Sequence, residues 1–547
     1  MPRPFAWEAS YPPGLSWDTP LAVSTVPALL DRAVAAYGPR PAIEFRGRRI
    51  SFAELGARVD RLAAGLLAQG VAPGDRVALY LPNTPWHPIA FFAALRAGAT
   101  VVHLSPLDSP RALARKMVDS GARVMVTTDL AALLPQAREM LHNGRVRRLL
   151  VGEDAAWGPG GAGQGVPAGA RGLSTLDAPP PGAWPEAGLH DPALLQYTGG
   201  TTGLPRAAIL THANLTAAVS ICDAWFAGTG RAPRPDDRVM CVLPLFHIYA
   251  LTVVFLRAIS NGTELLLRPR FDPEQALRDI EQGRCTHFPG VPTMWIALVN
   301  QPGIERRDLS SLRSASSGGA ALPHEVGERF HALTGLRLGG GWGMTETAPA
   351  GTNLLPGRPQ RPGEIGVPMP GIEMDVAALD DPARTLPPGE IGELRIRGPN
   401  VTPGYWKLPE ETRAAFVDGF FLTGDIGRMD ADGSFAIVDR KKDMILSGGF
   451  NVYPRTIEDA IHEHPAVLEA AVIGVPDSYR GQAAKAFVVL REDAPPFTLD
   501  ELRDFLADKL GRHELPAALE IRDSLPHTSV GKLAKRELMA EARPPAQ

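Results

Sequence analysis

The chain has 547 residues, more than one hydrophobic core usually supports, so two or more domains are expected. Hydrophobic residues make up 44% and charged residues 21%, an ordinary globular balance, and the formal net charge of -4 excludes a nucleic-acid partner held by a general basic field. Cys222, Cys241 and Cys285 stand too far apart for a Cys-x-x-Cys site and read as reduced thiols. The first residues hold no apolar core of the secretory kind, and no stretch of about 18 uncharged apolar residues occurs. A soluble, cytoplasmic chain is expected.

In chain order, Val26–Tyr37 reads as an amphipathic helix and Pro41–Phe45 as a short strand before a basic turn at Arg46–Arg49. Ser51-Phe-Ala-Glu54 has the form of a capping box opening a helix through Leu67, which Gly70 stops. Arg76–Leu81, Ile89–Leu95 and Thr100–Leu104 give strand, helix and strand at βαβ spacing. Ala122–Thr127 and Arg148–Val151 read as buried strands around a helix near Leu130–Leu141. The alternation predicts an α/β fold of sheets flanked by helices.

Gly152–Asp191, rich in Pro, Gly and Ala, reads as a surface loop. Its Gly158–Gly163 stretch matches Gly-x-Gly-x-x-Gly only formally, because Gly165, Pro167 and Gly169 follow where a helix should start. Further on, Arg238–Leu243 reads as a strand, and Gly389–Arg395 opens a strand-rich segment. Phe421–Gly427 sets Asp425 between a turn and a strand. From Thr456 the chain alternates helix and strand (Thr456–His462, Val467–Val475, Ala484–Arg491, Leu499–Leu510, Ala518–Ile521), a compact unit of about a hundred residues.

The strongest chemical signal is Leu195-Gln-Tyr-Thr-Gly-Gly-Thr-Thr-Gly-Leu-Pro-Arg206. Gly199, Gly200 and Gly203 let backbone N–H groups turn toward an anion, Thr198, Thr201 and Thr202 add hydroxyl donors, and Arg206 brings a cation. It is not a Walker loop, because no Gly-Lys-Ser/Thr closes it. Apolar runs on both sides suggest strand, phosphate-holding loop, strand. The stretch resembles the signature loop of the acyl-adenylate-forming superfamily, which includes acyl-CoA synthetases, carrier-protein adenylation domains and firefly-type luciferases. Further motifs follow in that family's order and extend the resemblance over most of the chain.

The resemblance implies a role for each motif. In Leu338-Gly-Gly-Gly-Trp-Gly-Met-Thr-Glu-Thr347, Trp342 would offer adenine a flat face, flanked by Gly343 and Met344. Thr345 would meet the α-phosphate, and Glu346, with Thr201, would hold Mg²⁺. Asp425 would accept the ribose hydroxyls and Arg440 would face the ribose. Gly318, Gly319 and Ala320 would wall the adenine site. His247 and Tyr249, with Phe288, Pro289, Gly290, Val291 and Met294, would line the acid pocket. Lys442 would be the hinge between a large domain, 1–440, and a mobile lid, 441–547. Gly448, Gly449 and Phe450 would line a pantetheine channel, and Lys532 would be the catalytic lysine.

The chain departs from the family pattern at Arg206 for lysine, Ala207 for glycine, Trp342 for tyrosine and Val530 for serine. None removes a required charge. The reading is therefore an enzyme that uses ATP and Mg²⁺ to turn a carboxylic acid into an acyl-adenylate and then a coenzyme A thioester. The motifs look most similar to medium- and long-chain fatty-acyl-CoA ligases of bacteria. Dicarboxylic or aryl acids, a carrier-protein acceptor, a luciferase-like monooxygenase and an inactive nucleotide-binding regulator are the rivals. A homodimer and peripheral membrane contact stay open.

Overall fold

The computed structural model describes residues 3–158, 162–176, 178–198, 206–319, 322–361, 363–447, 450–477, 479–527 and 533–542. Among these residues the strands form four sheets. One runs Arg171–Gly172, Arg148–Gly152, Val124–Thr128, Arg76–Leu79, Thr100–His103, Pro192–Thr198, Arg206–Thr211. It is parallel except for its last pair, an antiparallel hairpin that sets Thr198 opposite Arg206. A second runs Ser314–Ser317, His287–Gly290, Arg238–Cys241, Glu264–Leu267, Pro41–Phe45, Arg48–Ser51. Parallel strands covered on both faces read as unbroken apolar runs, and Val124–Thr128 is buried at every position. Helix Trp86–Arg96 is buried all the way round, as its lack of a polar stripe requires.

Helix Val26–Tyr37 and strand Pro41–Phe45 have their expected bounds. The capping box forms by half. Ser51 accepts the Glu54 N–H at 3.1 Å, but the Glu54 carboxylate turns to Arg58 and Arg48. Helix Pro110–Ser120 carries its own signals, a Ser109 cap, Pro110 at the first turn and Gly121 left-handed at the end, and the sequence reading passed over it. Gly152–Asp191 is more than a surface loop. Trp157 is buried in it and meets Trp86 edge-on at 5.0 Å, and Arg171–Gly172 adds a strand to the parallel sheet.

The third sheet, of strands between Gly341 and Arg440, is antiparallel. An N-terminal strap covers one of its strands. Trp7 packs edge-on against Phe435 at 6.1 Å, Ser10 Oγ donates to the Asp432 carbonyl, and the Trp17 indole donates to the Ile372 carbonyl. A Cβ on Gly433 would lie 2.3 Å from Trp7 N, so only glycine lets the strap seat.

The fourth sheet, Ile445–Ser447 through Ala518–Arg522, has apolar clusters of its own around Ile445, Val472, Val488 and Leu502, and around Ile473, Phe487 and Leu538. The fold is therefore a large α/β domain followed by a smaller α+β one. The closing helix Lys535–Glu541 buries Leu538 against the smaller domain, and Lys535 Nζ meets the Glu458 carboxylate at 2.7 Å. Among the described residues no helix is long and apolar enough to cross a membrane.

Candidate active site

The site starts at the hairpin. Of its predicted phosphate residues, Thr198 and Arg206 are described; Gly199, Gly200, Thr201, Thr202 and Gly203 lie outside the described residues. Arg206 sits with its guanidinium 4.8 Å above the Tyr405 ring. Its buried Nε has no hydrogen-bond partner among the described residues. The Tyr405 hydroxyl donates to Glu346 Oε1 at 2.9 Å. Segment 402–406 is laced to strand Arg206–Thr211 by Ile209 N–H to the Gly404 carbonyl and Trp406 N–H to the Ala207 carbonyl. Cation, phenol and carboxylate thus stand together at the foot of the loop.

Glu346 is buried in the short helical turn Thr345–Thr347, and desolvation pushes its carboxyl above the usual range. Arg206 and Arg440 act the other way, favouring its charge. A divalent cation would stabilise that carboxylate further, so the residue fits Mg²⁺. Among the described residues no three His, Cys, Asp or Glu side chains cluster to cage a metal. Gly343 cannot carry a side chain, since a Cβ there would lie 1.5 Å from the Pro349 carbonyl oxygen. Thr345 is half-buried beside Met344.

Trp342 and Asp425 are tied to each other. The indole N–H donates to Asp425 Oδ2 at 2.8 Å, and Arg440 Nε meets Asp425 Oδ1 at 2.6 Å. Gly351 lies against the Trp342 ring, where a Cβ would come within 2.6 Å. Asp425 is fully buried in the middle of strand Phe420–Met429, register partner of Arg440, where the sequence set it between a turn and a strand. A ribose would share a carboxylate already engaged at both oxygens.

On the acid side, Tyr249 opens a π-helical stretch, Tyr249–Leu256, a rare form that often marks functional sites. Its hydroxyl lies 3.2 Å from Ser316 Oγ, and a Cβ on Gly318 would come 3.1 Å from its ring, so Gly318 makes room for the tyrosine. Gly319 takes a left-handed φ of 82°. His247 is half-buried one turn earlier. Phe288, expected as a tunnel wall, has an aromatic neighbour. It is buried against Trp295 at 4.7 Å, and Trp295 in turn meets Phe330. Gly290 is small for the same tryptophan, whose Nε1 would be 2.9 Å from an added Cβ. Pro289 is buried on the strand, Val291 caps helix Pro292–Val299, and Met294 is buried on that helix.

In the smaller domain Phe450 is exposed and stacks on His513 at 4.6 Å, and Lys442 lies in the turn after strand Phe435–Arg440. Ala320, Gly448, Gly449 and Lys532 lie outside the described residues. Tyr405 escaped the sequence reading. Gly404 before it takes a φ of 146°, a backbone form that favours glycine.

A hairpin at the edge of a mainly parallel sheet, a buried acid and a cation beside it, and a separate smaller domain are the arrangement expected of the acyl-adenylate-forming class. The chain belongs to the AMP-binding enzyme family, whose model matches residues 30–406, and the model of that enzyme's C-terminal domain matches 456–532. It is similar to a long-chain-fatty-acid–CoA ligase of Bacillus subtilis, 38% identical over 98% of each chain. It is also similar to a feruloyl-CoA synthase of an Amycolatopsis species, 39% identical over 91% of this chain and 95% of that one. Among solved structures, ATP-bound MatB from Rhodopseudomonas palustris superposes with a TM-score of 0.84 at 30% identity, covering 95% of this chain and 99% of that one.

Proposed function

We propose that the protein joins a medium- or long-chain fatty acid to coenzyme A in two steps. The acid's carboxylate attacks the α-phosphorus of ATP, giving acyl-adenylate and releasing pyrophosphate. The coenzyme A thiol then attacks the acyl carbon, giving the thioester and releasing AMP. The observation that carries the reading is the Arg206–Tyr405–Glu346 cluster at the foot of the phosphate hairpin: a guanidinium with an open N–H beside a buried carboxylate.

In this reading Thr198–Gly203 and Arg206 hold the phosphates, and Thr345 meets the α-phosphate. Glu346 and Thr201 hold Mg²⁺, which supplies charge neutralisation there when bound. Trp342, Asp425 and Arg440 hold the nucleoside, with Gly318–Ala320 and Gly343–Met344 around the base. His247 and Tyr249 face the acid, with Val291 and Met294 behind them. Lys532 balances charge at the α-phosphate. The domains divide at 440/441, with Lys442 as hinge and the Gly448–Phe450 face receiving the thiol. We assign the protein to the cytoplasm and leave homodimerisation to a sedimentation measurement.

A panel of acids tests the substrate. With an apolar pocket, kcat/KM rises from acetate through octanoate, since each buried CH₂ contributes roughly 0.8 kcal/mol. Acetate or benzoate beating octanoate would overturn the fatty-acid assignment while leaving adenylation intact. An aryl acid is the second reading. The likeness to a feruloyl-CoA synthase and the polar Tyr249–Ser316 contact favour it, and ferulate outperforming octanoate in the same panel would select it.

A further inference from the structure

Beneath the acid-side turn runs a line of buried polar side chains to which the reaction above gives no part. His103 and Gln196 are register partners on adjacent parallel strands, and His103 Nδ1 lies 3.0 Å from Gln196 Oε1. His103 Nε2 lies 3.2 Å from His87 Nε2, on helix Trp86–Arg96. At the other end Gln196 Nε2 donates to the carbonyl of Phe246 at 3.0 Å, the residue just before His247. His87, His103 and Gln196 are 0%, 2% and 6% exposed.

The Phe246 carbonyl fixes the orientation of the Gln196 end of this line. A carbonyl only accepts, so the Gln196 amide must turn its NH₂ to Phe246 and its oxygen to His103. A neutral His103 therefore carries its proton on Nδ1, leaving its Nε2 to face His87 Nε2. The assignment requires His103 to be neutral. Burial pushes both rings down, His103 to about 4, and nearby His247 opposes charge on His103 as well. Donation thus runs from His103 to the Gln196 oxygen and from the Gln196 amide to the Phe246 carbonyl.

The buried Gln196 amide is engaged at both its oxygen and its nitrogen, which specifies one geometry where an apolar filling would allow several. Its two ends show what that geometry is. Gln196 stands two residues before Thr198 on the strand that enters the phosphate hairpin, and Phe246 precedes the histidine on the acid side.

We propose that Gln196 is a positioning residue for the acid. Its amide, oriented by His103 and His87, fixes the Phe246–His247 turn relative to the phosphate hairpin. The acid's carboxylate and the nucleotide then meet in one register. The inference rests on the reading of His247 as an acid-side residue.

Acid-dependent ATP–pyrophosphate exchange by the full-length protein tests it. Gln196→Glu keeps the shape but cannot donate to Phe246 when ionised. Gln196→Met keeps the length and removes both hydrogen bonds without adding charge, which guards against a variant that fails to fold. Either should raise the KM for octanoate at least tenfold and leave the KM for ATP within twofold. His87→Phe, at the far end of the line, should move the octanoate KM in the same direction by less. Equal changes in both KM values, or an unchanged octanoate KM in a folded variant, would overturn the proposal. Absence of exchange in the wild type with every acid tried would instead overturn the adenylation reading, and this inference with it.

Discussion

Trp342 donates its indole N–H to the buried carboxylate of Asp425 at 2.8 Å, so the predicted adenine platform and the predicted ribose acceptor are one unit. Arg440 holds the other carboxylate oxygen. Asp425→Ala would strand two donors together and confuse folding with binding. Asp425→Asn keeps one acceptor and should raise the ATP KM by about 10–100-fold, the cost of roughly 1–3 kcal/mol for an imperfectly matched buried group. Trp342→Phe should lower stability toward urea and weaken ATP together. An ATP KM unchanged in both variants would remove these residues from the nucleotide site.

Phe288 separates packing from specificity. Because its ring fills the space against Trp295, Phe288→Ala should cost about 3–5 kcal/mol of unfolding free energy. The ranking of acids by chain length should hold. Urea denaturation and the acid panel measure the two effects independently, and a shifted chain-length optimum would put Phe288 back in the pocket wall.

Glu458 should make stability depend on pH. Desolvation raises its carboxyl from 4.5 to about 7, although Lys535 beside it favours the charge. The folded state therefore holds this proton more tightly than the unfolded one. The associated stability is complete below about pH 4.5 and is lost as pH rises toward 7, on the order of 3 kcal/mol. Melting temperatures from pH 5 to 7 should fall more steeply in the wild type than in Glu458→Gln. Parallel slopes would contradict the assignment.

Lys532 is predicted to serve only the first step. A lone ammonium stabilises charge gathering between acid and α-phosphate more than it stabilises the separated reactants. Lys532→Ala should abolish adenylate formation and still convert a synthetic acyl-adenylate and coenzyme A to thioester. Adenylation at near wild-type rates would leave Arg206 as the next candidate.

Lys442→Pro should do the reverse, because proline fixes the φ about which the smaller domain would turn. Pyrophosphate release should survive while thioester formation is lost. Equal loss of both would indicate general damage to that domain.

Much of this was legible because the motifs are contiguous. The hairpin strands around Thr198 and Arg206, the helix at Val26–Tyr37 and the separate smaller domain follow from local patterns. What failed depended on partners distant in sequence. A four-residue run such as His287–Gly290 does not say which face meets a helix, so the packing of Phe288 on Trp295 could not be read from it. Asp425 looked like a turn residue because pairing with Arg440, not its own neighbours, carries the strand through it. Tyr405, His87 and His103 lie in no motif read from the sequence, and Gln196 stands in the Gly/Thr-rich stretch without a role there, since their meaning lies in who sits beside them.

The N-terminal strap imposes an order on the molecule's own making. Ser10 and its partner Asp432 are 422 residues apart, so a ribosome adding about 5–20 residues per second needs roughly 20–80 s between them. For that interval Trp7 has no Phe435 to cover, and the sheet it completes does not exist. A segment made some 422 residues before its partner thus finds its seat late, and Gly433 is the residue that keeps the seat open.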